Sequence, residues 1–294
     1  MKRVIKICAL CLLCVGSGLS VMAQEAEKAK KQYLPEEGDF SISIGAMPIV
    51  NFVGNMFNGT TDNKFGSIGG VSYLTNDISL MGRYMLRDEW ALRVNVGLNI
   101  RDHKDRYYVQ DDLEVALNPL SEEQVVDAIK SHDNSASFAV GMEYRKGSKR
   151  VQGIFGASLL YAFSQSSKSY SYGNAMTELN QSPSMANEMP GMTSIGYLSQ
   201  ARMLKNYSPN ASHTIGLVGN IGLEWFVAPK IALGAEMNVA LLYQFGSKEY
   251  RKYEGYNSLT DQVEEYTRMV SPGANEFIFN TSNIGGNLYV SFYF

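Results

Sequence analysis

From Asp39 onward, apolar residues recur at every second position, which is the period of strands with one apolar face and not of helices. The first run sets Phe40, Ile42 and Ile44 against Ser41, Ser43 and Gly45 and continues to about Val50. A loop rich in Asn, Gly and Thr follows, and Gly69, Gly70 and Asn76 suggest a bulge or bend before the second run. That run carries Ile78, Leu80, Gly82, Tyr84 and Leu86, and Arg87, Asp88 and Glu89 turn it into a third. The third alternates most regularly, with Trp90, Leu92, Val94, Val96, Leu98 and Ile100 opposite Arg93, Asn95, Gly97, Asn99 and Arg101.

A fourth run (Phe138, Val140, Met142, Tyr144) turns at Lys146 to Lys149 into a fifth (Phe155, Ala157, Leu159, Tyr161, Phe163). The sixth (Ile215, Leu217, Ile221, Leu223, Trp225, Val227) turns at Ala228, Pro229 and Lys230 into the seventh, Ile231 to Phe245. The chain ends on an eighth, with Ile284, Gly286, Leu288, Val290, Phe292 and Phe294 on one face and Gly285, Asn287, Tyr289, Ser291 and Tyr293 on the other. Short connections alternate with connections of roughly 15 to 45 residues, the asymmetry of an outer-membrane barrel with short periplasmic turns and long outer loops.

The alternate face is rich in Arg, Glu, Asn, Ser and Gly, which suits a small polar lumen. A soluble lipocalin-like barrel would instead turn its apolar face inward. The predicted fold class is therefore all-β: a closed antiparallel transmembrane β-barrel of about eight strands. No segment past the start of the chain is apolar over the roughly 20 residues that a membrane helix needs. A chain in a membrane without such a helix must close its strands into a barrel, because lipid offers unpaired backbone groups no partner.

The aromatics favour the same reading. Tyr84, Trp90, Tyr144 and Trp225 lie on the apolar face near the short turns, and Tyr161, Phe163, Tyr243 and Phe245 lie on it near the long loops. Two belts of this kind match the girdles at the two membrane interfaces.

The opening 23 residues have a basic head (Lys2, Arg3, Lys6), an apolar run from Ile7 to Val15 and small processing positions at Val21 and Ala23. They read as a secretory signal peptide, with 24–38 a flexible periplasmic leader and 39–294 the barrel. All three cysteines, Cys8, Cys11 and Cys14, fall in that segment, so disulfide, thiolate-metal and cysteine-nucleophile chemistry are excluded from the processed chain. Removing the three basic residues leaves 23 basic against 29 acidic side chains, a net charge of about −6, which argues against a nucleic-acid partner.

The closing strand, ending on an aromatic, resembles the last strand of Gram-negative outer-membrane barrels. The whole processed chain resembles the small barrels formed by the membrane domain of outer-membrane protein A and by the X-type and W-type proteins. The resemblance implies residence in the cell outer membrane beside its lipid and lipopolysaccharide. It also implies that Phe292 and Phe294 contribute an assembly signal read by the barrel-assembly machinery. Surface loops free to meet an extracellular protein or glycan follow from it as well.

Candidate chemistry is sparse. Arg83, Arg93, Glu143, Glu224 and Glu236 fall on the polar face near the short turns, at similar depth. Arg83 and Arg93 face each other, a repulsive pairing unless acids intervene, and the glutamates are read as those acids, closing a lumen plug or, in the alternative, forming a gate or proton path. In the second long loop, Ser121 with Gln124 and Leu120 with Val125 have the spacing of a capping box and a hydrophobic staple, which predicts a helix beginning there. The acids of that loop admit a divalent cation, although solvation of a loop explains them as well. Tyr250, Tyr253, Tyr256 and Tyr266 in the fourth long loop suit stacking on a sugar or a protein. Asp102-His103, Asp111-Asp112 and His132-Asp133 invite comparison with outer-membrane aspartyl-type proteases, and Ser212-His213 with lipid A deacylases, but the surrounding motifs of both are absent. The expected function is therefore non-enzymatic, structural or surface-interacting, with no cofactor. Porin-like passage of small solutes or hydrophobic compounds is the alternative, and an outer-membrane lipid-modifying enzyme or protease a lesser one.

Overall fold

The computed structural model describes residues 33–45, 79–207, 212–279 and 285–294. The predicted signal peptide, residues 24–32 of the leader and the segments 46–78, 208–211 and 280–284 lie outside these.

Eight strands close a ring by antiparallel pairing between sequential neighbours. They are β1 (Phe40–Gly45), β2 (Ser79–Arg87), β3 (Trp90–Gln110), β4 (Gln124–Ser148), β5 (Val151–Ser171), β8 (Ser212–Ala228), β9 (Ile231–Gly246) and β13 (Gly285–Tyr293). Closure comes from β1 against β13, where Ser41 pairs with Tyr293 and Ile44 with Val290. Beyond the strand end, Phe294 and Phe40 exchange both backbone hydrogen bonds, at 2.9 and 3.2 Å. Their rings stack at 5.1 Å on the outside of the seam.

The outward face is apolar throughout. On β8, Ile215, Leu217, Ile221, Leu223 and Trp225 are exposed, while Thr214, Val218, Asn220, Glu224 and Phe226 between them are buried. All eight predicted girdle residues point outward with them, and Trp90 packs on Tyr144 with ring centroids 5.1 Å apart. Phe277 and Phe279 of β12 (Asn275–Phe279) join the outer belt beside Tyr243 and Leu241. From Trp225 to Ile215 β8 rises roughly 33 Å along its own axis. A tilt of about 40° converts that to roughly 25 Å, the height of the apolar band of a membrane barrel.

Among the described residues, strand pairing continues into the long connections. β3 and β4 stay paired in unbroken register from Trp90–Tyr144 to Gln110–Gln124, far past the outer belt. The third and fourth long loops add β6 (Thr193–Ile195), β7 (Leu198–Tyr207), β10 (Glu249–Asn257) and β11 (Gln262–Ser271). These extend the wall sideways in the order β5, β7, β10, β11.

The predicted helix at Ser121 does not form. Gln124 onward pairs with β3, and the β-branched Val125 and Val126 sit well in that hairpin. The helix is instead α1 (Asp112–Leu117), whose N-cap Asp111 accepts from the Leu113 and Glu114 amides. The turn between β4 and β5 also differs, lying at Lys149 and Arg150 rather than starting at Lys146.

The leader departs from the flexible expectation where it is described. Leu34 is buried among Met85, Ala91, Phe226, Ala232 and Tyr293, with Tyr33 packed beside it. Backbone bonds from Lys230 to Tyr33 (3.2 Å) and from Gly38 to Met85 (2.9 Å) fix the segment across the short-turn mouth. Arg150 lies 4.1 Å above the Tyr33 ring, and Lys230 pairs with Asp39.

Candidate functional site

The alternation that turns apolar residues outward sends every second residue of eight strands into a lumen just wide enough to be filled by side chains. Near the short turns those residues are charged. Arg83 and Arg93 are cross-strand partners on β2 and β3, and Glu143 on β4 reaches both through one oxygen, at 3.0 and 3.5 Å. Arg93 forms a two-pronged pair with Glu236 on β9, both bonds 2.7 Å. Glu224 on β8 approaches Arg83 at 3.3 Å. The structure thus brings together all five charged residues singled out from the sequence.

It adds a sixth. Arg145, two residues after Glu143 and so on the same face, is fully buried. It donates to Glu143 (3.0 Å), Gln152 (2.9 Å) and Tyr293 (2.6 Å) and pairs with Glu224. Three guanidiniums now face three carboxylates, so the formal charge of the layer is balanced. Two bases against three acids, the set read from the sequence, leave one carboxylate unmatched. The spacing Glu143-x-Arg145 is the signal that could have found the missing base.

The two inward tyrosines of the closing strand complete the shell. Tyr289 accepts from Arg83 at 3.1 Å and Tyr293 donates to Glu224 at 2.9 Å. Ser43 and Ser291, bonded to each other at 2.6 Å, both accept from Arg83. With its amide assigned from the surrounding hydrogen bonds so that the oxygen faces Arg93, Asn220 accepts from that guanidinium at 3.0 Å and donates to the Gly156 carbonyl at 3.2 Å. Gly234 makes room for this arrangement, since a Cβ there would overlap the Tyr289 ring. A buried charge is tolerable only when paired and hydrogen-bonded; each of the six charges is paired here, and the Arg93 Nε alone among their polar atoms is buried without a hydrogen-bond partner.

Apolar layers lie on both sides. Leu34, Met85 and Phe226 close the lumen toward the short turns. Ala139, Leu160, Val218, Ala240 and Leu242, with Ile278, form a buried cluster on the side of the long connections, contributed by β4, β5, β8, β9 and β12.

The residues compared with enzymes do not assemble that chemistry. Ser212 and His213 point to opposite faces: Ser212 bonds Ser164 inside at 2.9 Å, and His213 meets Tyr161 outside at 2.9 Å. His132 contacts Asp102 at 2.7 Å, and this hydrogen bond holds the Asp102 carboxyl below its ordinary range. Asp111 and Asp112 have structural uses instead, the first as the α1 cap. Burial works against the charge of Asp112. Hydrogen bonds from Ser184 and Asn180 outweigh it and keep the carboxyl low. Among the described residues no group of three His, Cys, Asp or Glu side chains is placed to hold a metal.

No family model matches the chain, and no curated protein does. Among solved structures, it is similar to outer membrane protein OprG from Pseudomonas aeruginosa at 11% identity and a TM-score of 0.31, over 89% of this chain and 98% of that one. It is similar to Ail, the attachment invasion locus protein of Yersinia pestis, at 13% identity and a TM-score of 0.29, over 88% and 99%. A major outer membrane protein from Thermus thermophilus gives 11% identity and a TM-score of 0.32, over 87% and 99%. At these scores the likenesses carry no functional argument, and the assignment of a closed eight-stranded barrel rests on this chain's own ring of paired strands.

Proposed function

We propose that the protein is a non-enzymatic, non-conducting outer-membrane barrel that anchors a β-structured platform outside the cell. The observation that carries this reading is the lumen: a charge-balanced layer of Arg83, Arg93, Arg145, Glu143, Glu224 and Glu236 between two apolar layers. Passing a solute demands that every one of these layers open, and parting the charged one exposes unpaired buried ions.

Among the described residues, what is displayed is a surface of paired strands. Apolar side chains lie exposed at its far end, among them Tyr108, Leu113, Leu117 and Leu120 around α1 and Leu259 at the β10–β11 turn. An extracellular protein or glycan is the partner class this surface suits, through contacts of the kind aromatic and large aliphatic side chains supply. The predicted stacking set is divided by the fold: Tyr253 and Tyr256 are buried, and Tyr266 stacks edge-on against Tyr197 at 5.9 Å. Phe292 and Phe294 face outward at the seam, which supports the reading that they contribute an assembly signal.

Planar-bilayer recording tests the conducting alternative. The purified protein is expected to insert and give no resolved single-channel steps. Stepwise openings sensitive to Glu224→Gln would reverse the reading in favour of transport.

A further inference from the structure

Between β5 and β6, residues 172–192 form neither helix nor strand, yet Met176, Pro183, Ala186 and Met189 among them are buried. Hydrogen bonds lay this strap across the β3–β4 hairpin. Asn174 donates to the Gln110 carbonyl at 2.8 Å and accepts from the Asp112 amide at 3.0 Å. Asp112, the first residue of α1, accepts at one oxygen from the Asn180 side chain (2.7 Å) and the Ser184 amide (2.8 Å). Asp127 of β4 is fully buried and accepts from the Gly173 amide at one oxygen (2.8 Å) and from the Ala186 amide at the other (2.9 Å). Two carboxylates therefore hold the strap at residues 173, 180, 184 and 186.

The use of both Asp127 oxygens matters. A carboxylate accepts at each oxygen, whereas a carboxylic acid turns one of them into a donor. Protonated Asp127 sets an O–H against the Gly173 or the Ala186 N–H, so one of those bonds is lost at a buried site. The surroundings leave few other groups to respond to acid. Tyr107 faces Asp127 from β3, with Glu188 of the strap near it. Tyr172 has Asp127, Tyr170, Arg202 of β7 and Glu254 of β10 around it. Phenols and guanidiniums keep their charge state from neutral pH into acid. Asp111 and Glu114 flank Asp112 on α1, where Asp111 is occupied as the cap. Arg202 donates to the Asn174 carbonyl at 2.8 Å and pairs with Glu254 at 2.6 Å, so its charge stays matched when the strap leaves.

We propose that residues 172–192 are an acid-released strap, closed on the outer platform while Asp112 and Asp127 are ionised and detached when they take up protons. Release bares Met176, Pro183, Ala186 and Met189, a contact surface that the closed platform withholds. The direction follows from linkage. Burial works against the charge of Asp112, and the bonds from Ser184 and Asn180 outweigh it, so its folded pKa is depressed. Such a group contributes stability that is present above its unfolded pKa and lost as pH falls through the folded one. Release therefore belongs below about pH 4.

The test uses the full processed chain in nanodiscs with paired spin labels at 117 on α1 and 179 on the strap, both exposed. A control pair at 117 and 259 leaves the strap out. The 117–179 distance distribution is expected to be narrow at pH 7 and broad at pH 3, reversibly, with the released population rising about tenfold or more. The control pair should stay narrow at both. Asp127→Asn sets an amide N–H against one of the same donors, so its 117–179 distribution should already be broad at pH 7. Its narrow control distribution and unchanged migration of the unboiled protein on a gel show that the variant folds. Glu188→Gln should release as wild type does. A narrow 117–179 distribution at pH 3 overturns the proposal, as does an Asp127→Asn strap that stays closed at pH 7. Loss of release in Glu188→Gln would assign the trigger to Glu188 and overturn the role of the two aspartates. Broadening of the control pair in acid would mean that the platform unfolds as a whole, which also overturns a strap that leaves alone.

Discussion

Glu143→Gln is expected to destabilise the barrel by about 3 to 5 kcal/mol, because it leaves buried positive charge underpaired rather than removing a pair. Glu143 contacts all three buried guanidiniums, at 3.0 Å from Arg83, 3.0 Å from Arg145 and 3.5 Å from Arg93. No other residue of the layer bridges as many opposite charges. The geometry further predicts where coupling is large and where it is small. Arg93 and Glu236 share two bonds of 2.7 Å. Arg93→Met with Glu236→Gln should therefore recover about 1 to 3 kcal/mol of the summed single losses. Arg93→Met with Glu143→Gln should recover less, since that contact is a single long one. Urea titration of vesicle-embedded protein reads both cycles. Additive losses in the Arg93–Glu236 cycle would mean that the two side chains do not meet.

Leu34→Ala is expected to cost about 2 to 3 kcal/mol, toward the low end for a buried leucine because the mouth of a barrel collapses more easily than a closed core. The side chain is only 3% exposed and packs on Met85, Phe226 and Tyr293. Tyr293 is also the hydroxyl partner of Arg145 and Glu224, so loosening the leader exposes the charged layer to water from below. Loss of stability with a rise in hydrogen exchange at the Phe226 amide is the expected pattern. A change below about 0.5 kcal/mol, the size of an ordinary surface substitution, would show that the leader is not part of the packed barrel.

The outward half of the fold was legible because lipid imposes one rule on it. Every second residue of a spanning strand must be apolar, and Ile215 to Trp225 or Leu233 to Tyr243 declare their strands without reference to neighbours. The lumen obeys no such local rule. Arg145 stands next to Lys146, Lys149 and Arg150, and a basic run beside a turn looks like solvated surface. Its burial follows only once ring closure places Tyr293 and Glu224 beside it.

The same distinction explains the outer strands. Arg101 to Arg106 and Ser164 to Ser169 lie past the outer belt, where neither face meets hydrocarbon, so the apolar alternation ends although backbone pairing continues. In the second long connection, the capping-box spacing at Ser121 lost to the hairpin register, in which Gln124 onward pairs with β3. Tyr33 and Leu34 were obscured by the charged composition around them, and their role depends on the mouth that β2, β8, β9 and β13 form together.

The central claim is that the apolar face of this ring meets lipid and the polar face fills a sealed lumen, and β8 tests it most directly. Single spin labels at 215, 217, 221 and 223 in reconstituted protein can be read for collisions with oxygen, which concentrates in hydrocarbon, and with a water-soluble nickel chelate. Oxygen accessibility should be high at all four, with nickel accessibility lowest at 217 and 221 and rising toward both aromatic belts. Labels at 214 and 218 should be shielded from both reagents. Nickel access at 217 and 221 would contradict a lipid-facing wall, and nickel access at 218 would contradict a sealed lumen.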